Sequence, residues 1–259
     1  MKRILATLFC LAFLSVTASA QETQPPKPEA KAPEAKETEA LPSVDQIIDK
    51  LIESSGGKAA MEKITSRHIK GTFELPAMSA SGSLEMHAKA PNKVAMIIDI
   101  PNFGVIQQAY DGKVAWENNP MAGMREITGA ALAARKRDAE FYKETKLKEL
   151  YKTLTVKGKQ KVAEKDAYIV EAVPAEGSAE KMYFDVETGL LVRTDAEREG
   201  PEGMVSVEIY FENYKEVDGI KMPFTIRQVM PNMAILIKFD EIKHNVEIED
   251  AKFAKPATP

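Results

Sequence analysis

The side chains best able to do chemistry in this chain are few and scattered. Its only imidazoles belong to His68, His87 and His244, and none is spaced from another His, Asp or Glu as a zinc site would require. His68 and His87 fall on successive segments that can pair as a hairpin. Otherwise each histidine occupies a polar strand position, so all three are expected to face solvent. No Gly-x-Ser-x-Gly turn offers a serine nucleophile, and the single cysteine, Cys10, lies in an apolar N-terminal run. No glycine-rich loop opens a helix to cradle a phosphate, because Gly56-Gly57 follows a helical segment. Carboxylates are abundant, but no spacing singles out a pair for glycosidase-type acid–base work. These residues predict a protein that is not an enzyme and needs no metal or cofactor.

The N-terminus carries an export signature. Lys2 and Arg3 precede a mostly apolar run from Ile4 to Val16, and Ala18-Ser19-Ala20 supplies small residues for cleavage before Gln21. The run is too short to favour a membrane span. A cleaved signal peptide over residues 1–20 and a periplasmic destination are therefore expected. Cleavage removes Cys10, so the core rather than disulfides must hold the fold. It also removes two cations, leaving 33 basic against 39 acidic side chains, a net charge of −6. Interspersed charges with a mild acidic excess argue against nucleic acid as a partner and against adhesion to anionic lipid surfaces.

Residues 21–42 read QETQPPKPEAKAPEAKETEALP, without aromatics and with one leucine, and cannot bury enough surface to offset ordering entropy. They predict a disordered, partly extended linker. A folded domain is expected over residues 43–255. It begins with a helix: Ser43 and Gln46 form a capping-box pair, and Val44, Ile47, Ile48, Leu51 and Ile52 recur on one stripe. Gly56-Gly57 ends that helix, and a second short helix is expected from Lys58 to Ile64.

Period-two alternation then takes over, first in the segments beginning at Ile69, Ser83, Val94, Val105 and Val114. Asp111-Gly112 marks a hairpin between the last two. Met121 to Tyr151 breaks the pattern, and Thr128 to Leu150, rich in Ala, Lys, Glu and Leu, predicts one or two helices interrupting the sheet. Alternation returns from Leu154 to Lys243, with turns at Glu187-Thr188-Gly189 and Asp218-Gly219. About ten or eleven strands with two helical inserts are expected in one domain.

One face of these strands is oily and the other carries Glu208, Glu212, Lys238 and Asp240. A flat sandwich would need a second oily sheet to cover that face, whereas a curled sheet with a helical plug or lid uses only the helices already found. The residues expected to line the resulting hydrophobic cavity are Ile69, Phe73, Leu84, Met86, Met96, Ile98, Trp116, Met182, Phe184, Val207, Ile209, Phe211, Phe224, Ile226, Ile235, Ile237 and Phe239. Trp116, the only tryptophan, has a second reading as a core anchor. Met78, Met121, Met124, Met230 and Met233 fall in loops, where methionine adapts to varied apolar partners or fills gaps.

Ala90-Pro91-Asn92-Lys93 before an apolar strand, then Asp111-Gly112-Lys113, Trp116 and Asn119-Pro120, resemble the periplasmic lipoprotein-carrier superfamily of the LolA/LolB type. Tyr214-Lys215-Glu216-Val217-Asp218-Gly219-Ile220-Lys221-Met222-Pro223-Phe224 is similar to a segment of the broader outer membrane lipoprotein-sorting relatives. The resemblance covers most of residues 44–253. It implies a mainly β (α+β) fold, an unclosed antiparallel half-barrel of about eleven strands with helices over the concave face. It also implies a cavity that shields the acyl chains of lipoproteins or lipids in the periplasm, and contact with an outer- or inner-membrane protein. Two other readings stay open on the same scaffold: an envelope-stress module that binds protein, and an enzyme of envelope lipids or glycans.

Overall fold

The computed structural model describes residues 40–200 and 203–256. The expected signal peptide and residues 21–39 of the expected linker lie outside the described residues. Helix α1 (Val44–Ser54) starts where the capping pair places it. Ser43 Oγ accepts from the Gln46 amide at 3.2 Å, and the Ser43 amide donates to Gln46 Oε1 at 2.8 Å. One turn, α2 (Lys58–Met61), follows.

Six strands then meander: β1 (Ser66–Leu75), β2 (Ala80–Lys89), β3 (Lys93–Ile100), β4 (Gly104–Tyr110), β5 (Ala115–Asn119) and β6 (Gly123–Ile127). The insert holds α3 (Gly129–Asp138), a 3-10 turn (Lys143–Lys146) and α4 (Leu147–Leu150). Seven more strands return: β7 (Thr153–Val162), β8 (Lys165–Val173), β9 (Glu180–Asp185), β10 (Leu191–Gly200), β11 (Gly203–Val217), β12 (Ile220–Met230) and β13 (Met233–His244). All thirteen form one antiparallel sheet in the order β6-β5-β4-β3-β2-β1-β13-β12-β11-β10-β9-β8-β7. The sheet is an unclosed half-barrel. Its strands exceed the expected eleven, and β6 lies where the alternation had seemed to stop. Its sequence Gly-Met-Arg-Glu-Ile is short and mostly exposed, so no buried face imposes a period on it.

Neighbouring strands are consecutive in the chain everywhere except at the β1/β13 seam, which joins the two meanders. The strand pairing slips beside Gly71, where Lys70 faces Glu241 and Gly71 faces Phe239. A Cβ on Gly71 would lie 2.1 Å from the Lys238 carbonyl oxygen, and one on Gly82 would lie 2.1 Å from that of Asp99. The backbones approach too closely there for any side chain, which lets the middle of the sheet bend.

The apolar cover is divided. Ile47, Ile48 and Leu51 of α1 pack with Leu147, Tyr151, Val170, Ala172, Met182 and Phe184 over one arm. Met61, Ile64 and Phe141 pack with β1, β2, β3, β12 and β13 residues over the seam and the other arm. On the convex side the C-terminal tail covers Ala95, Ala109 and Trp116 with Ile248 and Phe253. The Trp116 indole N–H donates to the Phe253 carbonyl at 3.1 Å. Asp250 ties the tail down by accepting from Lys93 Nζ at 2.7 Å and Lys89 Nζ at 2.9 Å.

Two outcomes follow from this packing. Gly71→Ala must push two backbones apart, and the protein should lose about 1–3 kcal/mol, read as a lower urea midpoint at unchanged slope. The hydrogen bonds from Lys93 and Lys89 hold the Asp250 carboxyl down at about 2. Its folded value lies below the ordinary value of about 4, so its contribution is complete above pH 4 and fades as pH falls through about 2. The urea midpoints of wild type and Asp250→Asn should therefore differ at pH 6 and converge near pH 2, with a smaller difference in high salt.

Candidate functional site

The connection from β6 to β7 joins the two edges of the curled sheet, so it has to cross the open side. A cavity of about 800 Å3 remains beneath it. Its floor is apolar: Ile69, Met86 and Met96 from β1 to β3, Met182 and Phe184 from β9, Val207, Ile209 and Phe211 from β11, Ile226 from β12, and Ile235 and Phe239 from β13. All eleven were expected from strand alternation alone. Five other expected residues, Phe73, Leu84, Ile98, Phe224 and Ile237, do not line the cavity. They are buried in a core cluster whose cover residues Met61, Ile64 and Phe141 themselves border the cavity. The chain's own helical cover takes up that part of the trough, which strand periodicity cannot reveal. Trp116 is also off the cavity, on the opposite face beneath the tail, in accord with its core-anchor reading. Its strand neighbours on that face are Ala95 and Ala109, and those small residues make room for the indole.

The roof differs from the floor. Helix α3 presents Ala130, Ala131 and Ala134 to the cavity and no large apolar side chain. Charged bonds hold it, beside one small apolar cluster of Leu132 and Ala139 with Tyr110, Ala115 and Ile127. Arg135 reaches back to Gln108 of β4. Arg137, only 8% exposed, donates to the Glu176 carbonyl at 3.0 Å and to Glu180 Oε1 of β9 at 3.4 Å. The lid is thus tied to both arms of the sheet. Glu180, 2% exposed, also accepts from Arg198 Nη1 at 3.1 Å and from the Tyr151 hydroxyl at 2.7 Å. Burial, with Glu180 adding to it, pushes the Tyr151 hydroxyl well above the ordinary tyrosine value.

Asp138 at the end of α3 accepts from Lys143 Nζ at 2.8 Å and lies 3.5 Å from Arg198. Burial would favour the neutral forms of both partners. Their mutual attraction prevails, keeping the Asp138 carboxyl below and the Lys143 ammonium above their usual ranges. These roof residues were missed because no local spacing marks them. Arg137, Glu180 and Arg198 lie far apart in sequence, and the charged composition of the insert was the only available signal.

Part of the cavity's rim is methionine. Met204, Met230 and Met233, at the β10–β11 and β12–β13 turns, border the cavity, and Met204 is 58% exposed. Met230 and Met233, expected in loops, are instead the last residue of β12 and the first of β13. Met78, Met121 and Met124 do not border the cavity, and all three are exposed.

The histidines depart from expectation. The His244 side chain is buried, accepting from Arg67 Nε at 3.2 Å through Nε2 while Nδ1 meets Asp218 Oδ2 at 3.1 Å. That network makes Nε2 the acceptor and Nδ1–H the donor. His87 is buried as well, and His68 is half-buried, because the C-terminal tail covers the convex face.

No protein-family model matches the chain, and no curated protein matches it in sequence. Solved structures do share its fold. A DUF1329 family protein from Desulfovibrio piger is 17% identical with a TM-score of 0.56, over 82% of this chain and 97% of that one. A domain described as that of an outer membrane lipoprotein-sorting protein, from Vibrio parahaemolyticus, is 12% identical with the same score and the same coverage. A LolA superfamily protein from Nitrosomonas europaea is 12% identical with a TM-score of 0.55, over 83% and 99%. The chain therefore has the half-barrel architecture found in LolA-type proteins, in agreement with the resemblance in its motifs.

Glu180 is the charge on which the lid bonds converge. Glu180→Ala leaves the Arg137 and Arg198 guanidiniums without their shared carboxylate, and should cost about 3–5 kcal/mol in urea denaturation. Glu180→Gln keeps the volume and the Tyr151 hydrogen bond, and should cost less.

Proposed function

We propose that this protein is a periplasmic carrier that holds the acyl chains of lipoproteins or lipids in the trough, for transfer toward the outer membrane. The observation that carries this reading is an apolar floor left open beneath a polar, alanine-rich roof. A core that only had to fold would be filled by its cover, as it is around Phe73, Leu84, Ile98, Phe224 and Ile237, which are buried and off the cavity. Beneath α3 it is not, and about 800 Å3 stays free, within the range of about 300–1,000 Å3 typical of ligand sites.

The energetics favour such a site. Each methylene exposed to water costs about 0.8 kcal/mol, so a sixteen-carbon chain represents roughly 12 kcal/mol. No unassisted chain crosses an aqueous compartment readily at that cost. The floor replaces water around the chain, and the methionine rim at the mouth tolerates varied shapes as the chain enters. The roof is held by charges and by one small apolar contact of Leu132 and Ala139, so lifting it exposes limited apolar surface. A ligand that binds the open and closed forms unequally then shifts the lid between them. The N-terminal export signature and the LolA-type fold support the same reading, as does the lack of a catalytic constellation in the sequence.

The test has two arms. Protein recovered from its native envelope fraction should yield bound lipid or acylated peptide on solvent extraction and mass spectrometry. In vitro it should take up a fluorescent fatty acid, and Ile209→Glu, which places a carboxylate on the floor, should weaken uptake by about tenfold or more. Saturable capture of a membrane-anchored protein with no lipid uptake would favour the stress-sensing alternative. Uptake that Ile209→Glu leaves unchanged would place the ligand elsewhere.

A further inference from the structure

On the convex face, away from the trough, β1 and β2 bring together three side chains. His68 and His87 are directly opposite in the strand pairing, and Glu85 lies two residues before His87 on the same face. The imidazoles stack with centroids 4.6 Å apart and planes 4° from parallel. Glu85 Oε1 lies 2.7 Å from His68 Nε2 and 3.5 Å from His87 Nε2. One donor atom from each residue fits within a span of 4.8 Å.

A second observation is independent of that clustering. His87 is only 7% exposed, and neither of its ring nitrogens has a hydrogen-bond partner. A buried imidazole carries both a donor and an acceptor, and leaving both unmet is unfavourable. An ion bound between the rings would use the acceptor nitrogen. The surroundings are mixed. The Lys252 ammonium acts on both Glu85 and His87 and opposes a cation, while the Glu241 carboxylate interacts with His68.

We propose that His68, Glu85 and His87 form a binding site for a divalent late transition-metal ion of the zinc type. Two imidazoles and one carboxylate are a borderline-soft set that suits Zn2+, Co2+ or Cu2+ rather than Ca2+ or Mg2+, which prefer oxygen alone. At a bond length of about 2.0–2.1 Å, tetrahedral donors stand roughly 3.3 Å apart. Both Glu85 contacts are already near that separation, so side-chain rotation has only to bring the two imidazole nitrogens together. Glu85 is half-exposed, which leaves a fourth position open to water. The ion would clamp β1 to β2 beside the C-terminal tail.

The test uses untagged protein treated with chelator and dialysed. Titration with ZnCl2 at pH 7.4 by calorimetry should show one ion per chain with a Kd of about 10 µM or tighter. CoCl2 should give the visible absorption of a low-coordinate Co2+ with imidazole ligands. His68→Gln and Glu85→Gln lie at the accessible side of the cluster, and circular dichroism should show them folded. Each should weaken binding at least tenfold, and together they should abolish the Co2+ band. Absence of saturable Zn2+ binding overturns the site, as does one-to-one binding that both variants leave unchanged.

Discussion

A curled sheet with one oily face and two edges that never meet has to be covered by whatever joins those edges. Here β6 and β7 are the edges, and the 25 residues between them, 128–152, are the only link. The chain cannot pass from one arm to the other without spanning the concave side. The roof of the trough is thus a consequence of strand order, settled before any side chain is chosen. Side chains decide how tightly the roof fits, and there the two halves of the cover diverge.

Helix α1 and the one-turn α4 press Ile47, Ile48, Leu51 and Leu147 into the sheet, and that region has the character of a core. Helix α3 offers alanines and reaches sideways with arginines. Burying hydrocarbon is non-directional and tolerates no gap, because a void forfeits contacts on every side. Charged hydrogen bonds are directional and hold two elements apart at a set distance. A lid pinned at Gln108 on one side and at Glu180 on the other can therefore stand over an unfilled space. Replacing its arginines by leucines would pull the helix down and consume the cavity. Roof chemistry and the existence of the trough are in this sense one property.

Much of this was legible from sequence, for a physical reason. Strands alternate with period two, so Val207, Ile209 and Phe211 declare a shared face without reference to any partner. The capping pair Ser43 and Gln46 and the hairpin turns are equally local. The division of the oily face into filled and open parts is not local. Phe73 and Ile69 alternate on the same strand and face and share one core cluster, yet only Ile69 borders the cavity. That difference depends on elements that arrive from elsewhere in the chain, which no local pattern records. Trp116 shows the complementary limit. Its face was ambiguous until the C-terminal tail was found on the convex side, a segment with no periodicity to announce it.

The same tail explains why His68 and His87 were misplaced. A polar position on an antiparallel strand is expected to meet water, and His87 would do so if the sheet had one covered face. Both faces are covered here in part: the concave side by helices, and part of the convex side by residues 246–253. Burying an imidazole under such a strap without a partner for either nitrogen removes it from water with nothing in return. Evolution could relieve this with an apolar residue at the same place, as Ala95 does on the neighbouring strand, directly across from His87. The retention of two imidazoles and a carboxylate at paired positions under the strap therefore calls for a reason outside folding, and coordination of an ion supplies one that the strand geometry permits.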